Sequence, residues 1–92
     1  MHILRIEHSA PKYEAWKQAF DSDPIGRERG GVRRHRVSRR MDDPSYVMVD
    51  LEFESAGAAE SFRSALLDLW SRVDVVRDPV VHIAEVVESK DY

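Results

Sequence analysis

The amino-acid sequence predicts a small α+β domain with a four-stranded antiparallel sheet and two helices in the order βαββαβ. Apolar and polar residues alternate with a period of two in residues 2–8 and 46–54, which is typical of strands with one buried face. Apolar residues recur at helical spacing in the segments that begin near Ser9 and Ser55. Proline, glycine and aspartate residues separate these segments, as they do at turns.

Length and composition indicate one domain, residues 1–92, with a core of two layers. A chain of 92 residues buries only about 60–65% of its unfolded surface, so a third layer would have to come from a partner. Lys plus Arg total 14 and Asp plus Glu total 17, for a net charge of −3, which argues against a dedicated nucleic-acid-binding protein. The absence of cysteine excludes a disulfide framework, a thiolate metal site and a cysteine nucleophile.

The N-terminal apolar stretch is interrupted at Arg5. It is too short for the core of a signal peptide, and no segment approaches the roughly 18 apolar residues of a membrane span. We therefore expect a cytoplasmic protein without a membrane partner.

The first strand, residues 2–8, is followed by a helix. Ser9 is the expected cap of this helix, and Pro11 suits the first turn because its missing N–H needs no partner there. Asp23 and Pro24 end the helix by about residue 22. The apolar side of this helix carries Tyr13, Trp16 and Phe20.

The middle of the chain predicts a β-hairpin. Residues 32–40 form a basic strand candidate, residues 41–45 form a turn rich in Asp and Pro, and residues 46–54 form the clearest strand.

The register of this hairpin depends on the length of its loop. A loop of three or five residues places Val37 on the same face as Val49 and leaves Arg34 and Arg36 on the opposite face. A loop of four residues would put both arginines among the apolar residues, and burying unpaired guanidinium groups is costly. We therefore expect the register that matches the two arginines with Asp50 and Glu52.

The second helix and the last strand come from the C-terminal part of the chain. Ser55 is the expected cap of the helix. Its apolar side carries Ala59, Phe62, Leu66 and Leu69, with Trp70 beside them. Residues 71–79 are irregular in this prediction and end at Asp78 and Pro79. Residues 80–88 are the predicted last strand.

Right-handed crossovers between the strands of each strand–helix–strand unit give the sheet the order 4-1-3-2, with both helices on one face. We call that side of the sheet the helix face and the other side the outer face. The expected core lies on the helix face and consists of Leu4, Ile6, Val37, Val47, Val49, Leu51, Phe53, Tyr13, Trp16, Phe20, Phe62, Leu66 and Leu69.

The outer face has an unusual predicted composition. The first three strands supply it with Ile3, Arg5, Glu7, Arg34, Arg36, Tyr46, Met48, Asp50 and Glu52. The orientation of the last strand is ambiguous. If Glu85 points outward, Val81, Ile83 and Val87 join this face, and His82, Ala84 and Val86 turn toward the helices.

Such a surface is too apolar for water and too charged for a core. We therefore expect a second subunit to cover it in a two-fold homodimer, with a cavity for a small aromatic or anionic ligand between the two sheets.

Asp50, Tyr46 and Arg36 of the outer face are candidate catalytic groups. Asp50, like Glu52, could act as a general base on a ligand in the predicted cavity, while Tyr46 or Arg36 stabilises a developing oxyanion. The residues expected to contact the ligand are Arg5, Arg34 and Glu52. The alternative is that Asp50 and Glu52 only neutralise Arg34 and Arg36 across the hairpin, which would lower the pKa of a carboxylate and make it a poor base.

The arginines are concentrated between Arg27 and Arg40. This cluster could form an anion site. We favour the other interpretation, a solvated and partly ion-paired edge strand whose charges prevent edge-to-edge aggregation. No pair of aromatic residues on the strands matches the pattern of RNA-binding sheets, so we expect no nucleic-acid partner.

Histidines and tryptophans are assigned mainly to packing. His8, His35 and His82 are expected on the helix face as packed or edge residues, since their spacing does not require them to converge on a metal. We expect no metal site. Trp16 and Trp70 are expected in the core, although they could flank the entrance of a pocket.

In the order and length of its elements, the whole chain resembles the dimeric α/β-barrel superfamily, which includes proteins similar to antibiotic-biosynthesis monooxygenases. The runs DSDP (21–24), GGVRR (30–34) and DDPSY (42–46) are similar to small bacterial members of that group. The resemblance implies a ferredoxin-like subunit and a dimer joined through the sheet faces.

Activities in this superfamily are diverse and share no universal catalytic motif, so the resemblance assigns no catalytic residue. It is compatible with an enzyme that acts on an aromatic, polyketide-like substrate without a bound cofactor, as in cofactor-independent oxygenation or cyclisation. It is also compatible with a protein that binds a ligand, or a partner, without catalysis.

Overall fold

A computed structural model of the chain describes residues 1–73 and 76–92. Its elements are β1 (His2–Ser9), α1 (Tyr13–Ser22), β2 (Val32–Arg39), β3 (Tyr46–Phe53), α2 (Ala56–Trp70) and β4 (Arg77–Glu85). The four strands form one antiparallel sheet in the order β2-β3-β1-β4. This is the predicted order 4-1-3-2 in the opposite direction, which confirms the ferredoxin-like fold. No helix in the described ranges is both long and apolar enough to cross a membrane.

The hairpin between β2 and β3 has the charge-matched register. Arg34 pairs with Glu52, Arg36 pairs with Asp50, and Val37 pairs with Val49. The Arg40 N–H donates to the Tyr46 carbonyl over 3.1 Å, so the loop is one of the two lengths that the sequence allowed, five residues.

A β-bulge at the start of β2 changes the side on which one apolar residue lies. The register shifts between Val32 and Arg34, and Val32 therefore pairs with Phe53 on the helix face. Val32 is buried there. Without the extra residue of the bulge, strict alternation would place Val32 on the outer face with Arg34 and Arg36.

The core fills the space between the helix face and the two helices, as predicted. Leu4, Val47 and Phe53 have no solvent exposure, and Val37 packs against this core from the edge strand. The buried residues are Leu4, Ile6, Ala10, Trp16, Val32, Val47, Val49, Leu51, Phe53, Ala59 and Phe62, together with His8.

The two helices begin differently. The Ser55 hydroxyl accepts a hydrogen bond from the Ala58 N–H, so Ser55 caps α2 as predicted. The prediction for α1 is wrong: Ser9 is the last residue of β1, and the N-cap is Lys12, which makes no side-chain capping bond. Pro11 accordingly precedes the helix and is not part of its first turn.

The last strand lies three residues earlier than predicted, at Arg77–Glu85. It includes Pro79, which is tolerated because β4 is an edge strand and a bulge interrupts its pairing with β1 between Glu7 and Ser9. The irregular segment predicted before it includes residues 74 and 75, which lie outside the described residues.

The register of β4 also settles the orientation that the sequence left ambiguous. Ile83 pairs with Leu4 and Val81 pairs with Ile6, so both pack on the helix face. His82 pairs with Arg5 and lies on the outer face, which corrects the prediction that all three histidines face the helices. Glu85, at the exposed end of an edge strand, reaches water in either orientation and so does not dictate the register.

Candidate functional site

A cavity of about 330 Å³ lies between the helix face of the sheet and the two helices. Its volume is at the lower end of the roughly 300–1,000 Å³ typical of small-molecule sites. It is lined by Ile6, His8, Trp16, Ala19, Phe20, Ser22, Asp23, Pro24, Ile25, Arg27, Val49, Leu51, Phe62, Leu66, Leu69, Trp70, Val73 and Val76. Aromatic and aliphatic side chains dominate this lining, so the cavity suits a largely apolar molecule.

The lining follows from the two periodicities of the sequence. Alternation along β1 brings Ile6 and His8 to the helix face, and alternation along β3 does the same for Val49 and Leu51. The helices add Trp16 and Phe20 from α1 and Phe62, Leu66, Leu69 and Trp70 from α2. Most of the aromatic and aliphatic side chains that line the cavity are therefore those that the spacing assigned to the core.

His8 is the buried polar residue of this lining, with an exposed fraction of 1%. Its Nδ1 lies 3.0 Å from the Ser9 carbonyl oxygen. Because a carbonyl oxygen can only accept, Nδ1 carries the proton, and Nε2 of the neutral ring is the free acceptor. No residue within 1–73 or 76–92 forms a hydrogen bond with Nε2.

Two indole rings flank the imidazole of His8. The ring centroids lie 5.6 Å from Trp16 and 6.1 Å from Trp70, both in edge-to-face geometry. Burial lowers the pKa of His8, and the hydrogen bond to Ser9 opposes this effect only in part. The imidazole is therefore neutral at pH 7, as an acceptor in an apolar cavity needs to be.

The two tryptophans combine the expected core packing with a position in the cavity wall. Trp16 is buried and stacks on Phe20 with centroids 5.2 Å apart, while Trp70 is partly buried against the core. Both also line the cavity. The aromatic row continues from Phe20 to His35, at 5.2 Å.

Charged groups stand at one side of the cavity, after the end of α1. Asp23 ends the helix in the left-handed region, with φ 51°, and its carboxylate accepts from the Arg27 N–H over 2.9 Å. The Arg27 guanidinium donates to the Phe20 carbonyl over 2.8 Å and lies 4.0 Å from the centroid of the Phe20 ring. Both groups are thus held by the protein itself.

The six candidate residues from the sequence all lie on the outer face, on the opposite side of the sheet from this cavity. Arg5 donates to both oxygens of Asp50, over 2.8 and 3.0 Å, and this carboxylate raises the pKa of Arg5. Arg34 pairs with Glu52 at 3.1 Å. The predicted neutralisation is therefore confirmed for Arg34, whereas Asp50 pairs with Arg5 and not with Arg36.

Tyr46 and Arg36 have different surroundings on that face. The Tyr46 hydroxyl donates to Glu7 over 3.1 Å, and burial together with this carboxylate raises the pKa of Tyr46. Tyr46 lies four residues from Asp50 along β3, about 13 Å at the rise of a strand. Arg36 has no ion-pair partner among the described residues. The structure thus places Arg36 beside Asp50 but Tyr46 apart from both.

The arginine cluster is largely occupied by contacts within the chain. Arg40 pairs with Asp42 at 2.6 Å, Arg33 lies 3.7 Å from Glu54, and Arg39 lies 4.5 Å from the centroid of the Tyr13 ring. This arrangement is typical of a charged edge strand. In the described part of the chain, no three His, Asp or Glu side chains are grouped so that they could hold a metal ion.

A comparison of structures finds the same fold in a protein of Deinococcus radiodurans described as a "putative antibiotic biosynthesis monooxygenase". The TM-score is 0.68 at 17% sequence identity, over 100% of this chain and 98% of the other. At this identity, the likeness shows that the two chains share a fold. No family model and no curated protein sequence matches the chain.

Sequence reasoning placed His8 correctly on the helix face but did not recognise it as part of a site. The signal was present: a histidine in an apolar stripe, facing helices that carry Trp16 and Trp70. What periodicity cannot show is that the packed side chains leave a space beside the imidazole.

Proposed function

We propose that this protein binds a small, largely apolar, ring-containing molecule in the cavity between its sheet and its helices. The observation that carries this proposal is the cavity of about 330 Å³ with its aromatic wall and one buried imidazole. Protein interiors are close-packed, and voids larger than a water molecule are few. A cavity of this size beside a polar group is therefore typical of a binding site.

Binding to the cavity can be tested with a helix position that lines it. Ala19 is exposed on α1 and belongs to the lining. The substitution Ala19→Phe adds a ring there without replacing a core residue. We expect 2-naphthol to bind the wild-type protein with a stoichiometry of one in isothermal titration calorimetry, and A19F to weaken binding about tenfold or more.

Ala15 provides the matched control, since it is exposed on α1 one turn earlier and does not line the cavity. A15F should bind 2-naphthol like the wild-type protein. Equal binding by all three proteins would place the ligand elsewhere, and the absence of saturable binding to the wild-type protein would refute the proposed site.

Turnover of the bound molecule is a second candidate function. The structural neighbour is described as a "putative antibiotic biosynthesis monooxygenase", and oxygenation or cyclisation of an aromatic substrate without a bound cofactor suits an apolar cavity. Consumption of dissolved oxygen by protein and hydroxylated naphthalenes, followed with an oxygen electrode, tests the oxygenase activity. Stable binding without oxygen uptake or product would favour a ligand-binding protein.

We also propose that a second copy of the chain covers the outer face. With the observed register of β4, the apolar residues of that face are Ile3, Met48, Val80 and Ala84. Val80 is 44% exposed, and Asp50 and Glu52 beside these residues are held in ion pairs. A two-fold interface would bury this apolar strip with its charges already neutralised.

Within such a dimer, the sheet-face candidates define a second potential site. Arg36 lies next to Asp50 across the hairpin and has no ion-pair partner among the described residues. Loss of turnover in R36A, D50N or Y46F with an intact fold would locate chemistry between the subunits. Loss of turnover only in the cavity variant A19F would locate it between sheet and helices.

A further inference from the structure

The cavity contains a hydrogen-bond acceptor that no described residue uses, and this acceptor limits the ligands that the cavity would hold. His8 lies in the lining with its Nδ1 proton committed to the Ser9 carbonyl. The Nε2 lone pair has no partner within residues 1–73 and 76–92. A polar atom in an apolar site without a hydrogen bond is unfavourable, and a ligand that supplies the bond gains affinity.

The rings around His8 restrict the direction from which a ligand can donate a hydrogen bond to Nε2. Trp16 and Trp70 both meet the imidazole in edge-to-face contacts, and the Ser9 carbonyl fixes its tautomer and orientation. A hydrogen-bond donor on the ligand must therefore project from a flat body that fits between aromatic side chains.

The charged groups after α1 do not provide a second acceptor of the same kind. The Asp23 carboxylate already accepts from the Arg27 backbone N–H and lies 3.6 Å from the Arg27 guanidinium. Arg27 itself can only donate. His8 thus provides a neutral acceptor in the cavity that is unpaired among residues 1–73 and 76–92.

We infer that His8 is a specificity-determining residue, which accepts a hydrogen bond at Nε2 from a ring hydroxyl of an otherwise apolar aromatic ligand. This inference rests on the proposed function, because it assumes that the cavity is the ligand site. The ligand class is a phenol or naphthol. The corresponding ethers and hydrocarbons lack the proton that His8 accepts.

A pair of ligands tests the inference on the wild-type protein. 2-Naphthol and 2-methoxynaphthalene share the same two rings, but only 2-naphthol can donate a hydrogen bond. We expect 2-naphthol to bind about tenfold more tightly in calorimetric titrations, since one hydrogen bond to a neutral acceptor contributes about that factor.

Substitutions at His8 then assign the preference to this side chain. His8→Phe keeps an aromatic ring and removes the acceptor, so the preference for 2-naphthol should fall to about twofold or less, while the ether binds as before. His8→Gln retains an acceptor on a flexible chain and should restore part of the preference.

The possible results distinguish a failure of the role of His8 from a failure of the cavity as the ligand site. Equal affinity of the two ligands for the wild-type protein would overturn the role of His8 and leave the cavity site intact. A preference that persists in H8F would overturn it as well, because another group would then accept the bond. Binding of neither ligand would overturn the proposed function and the inference together. Should H8F fail to fold, H8Q takes its place: a preference for 2-naphthol that is undiminished in H8Q, or absent from the wild-type protein, would overturn the inference.

Discussion

His8 lies at a position where burial has a consequence for stability. Its imidazole is 1% exposed and sits between two indole rings, so the folded protein disfavours the charged form and the pKa of His8 is lowered. In the unfolded chain the same side chain takes up a proton near pH 6.5. The two states of the protein therefore bind different numbers of protons in acid.

The free energy of unfolding should fall as the pH decreases below about 6.5. Between that value and the lower pKa of the folded state, the unfolded chain binds one proton more at His8, and stability increases with pH by at most about 1.4 kcal/mol per pH unit. Urea unfolding of the wild-type protein at pH 7.5, 6.5 and 5.5 measures this slope.

H8F is the control for that slope, because it removes the titrating group and leaves the carboxylates that titrate at lower pH. Between pH 7.5 and 5.5 its stability should depend less on pH than that of the wild-type protein. Parallel curves for the two proteins would contradict the assignment to His8.

At the scale of elements, two glycines near α2 respond in opposite ways to an added methyl group. A Cβ at Gly30 would lie 2.8 Å from Cδ2 of Phe62, a buried core residue, whereas a Cβ at Gly57 would have no neighbour within 4 Å. We expect Gly30→Ala to destabilise the protein by about 1–3 kcal/mol through overpacking. Gly57→Ala should stabilise it by about 0.5–1 kcal/mol, since alanine lowers the entropy of the unfolded chain and favours the helix.

Chemical denaturation of the two alanine variants measures both changes in one experiment. A neutral effect of G30A would mean that Phe62 moves without loss of packing. A destabilising effect of G57A would mean that the first turn of α2 has a packing partner outside the chain.

The starts of the two helices show which local signals in the sequence predict structure correctly and which do not. Ser55 and Ser9 both precede helical spacing, but only Ser55 is followed directly by its helix. Ser9 continues the pairing of β1, opposite Tyr46 and Arg77. Strand pairing is a long-range interaction, so a local capping pattern cannot reveal that it takes precedence.

The orientation of the last strand, β4, was also not predictable from local sequence. Charge alone favoured Glu85 outward, yet the two ladders that flank β1 place Val81 and Ile83 over the core. A bulge beside Pro79 then shifts the pairing of Ser9 with Arg77, and neither a bulge nor its position follows from periodicity. By contrast, the β2–β3 hairpin was predictable because two unpaired arginines would have been buried in the wrong register.

For the whole molecule, the decisive question is the number of subunits. We expect sedimentation of the wild-type protein at micromolar concentration to give twice the mass of 10.6 kDa. Met48→Lys places a charge within the apolar strip of the outer face and should weaken dimerisation at least about tenfold. In the monomer the new ammonium group can pair with Glu7, its neighbour across β1 and β3, so the fold should persist.

Met41→Lys is the matched control, because Met41 is fully exposed in the hairpin loop. M41K should sediment like the wild-type protein. A wild-type protein that sediments only at 10.6 kDa would refute the proposed dimer and leave the outer face as solvated surface.

The position of the two tryptophans has an optical consequence. The chain contains two tryptophans, and both touch the same imidazole at the wall of the cavity. All indole emission from this protein therefore originates within van der Waals reach of one site. Occupancy of the cavity and protonation of His8 should both be visible, without a label, in the fluorescence excited selectively from tryptophan.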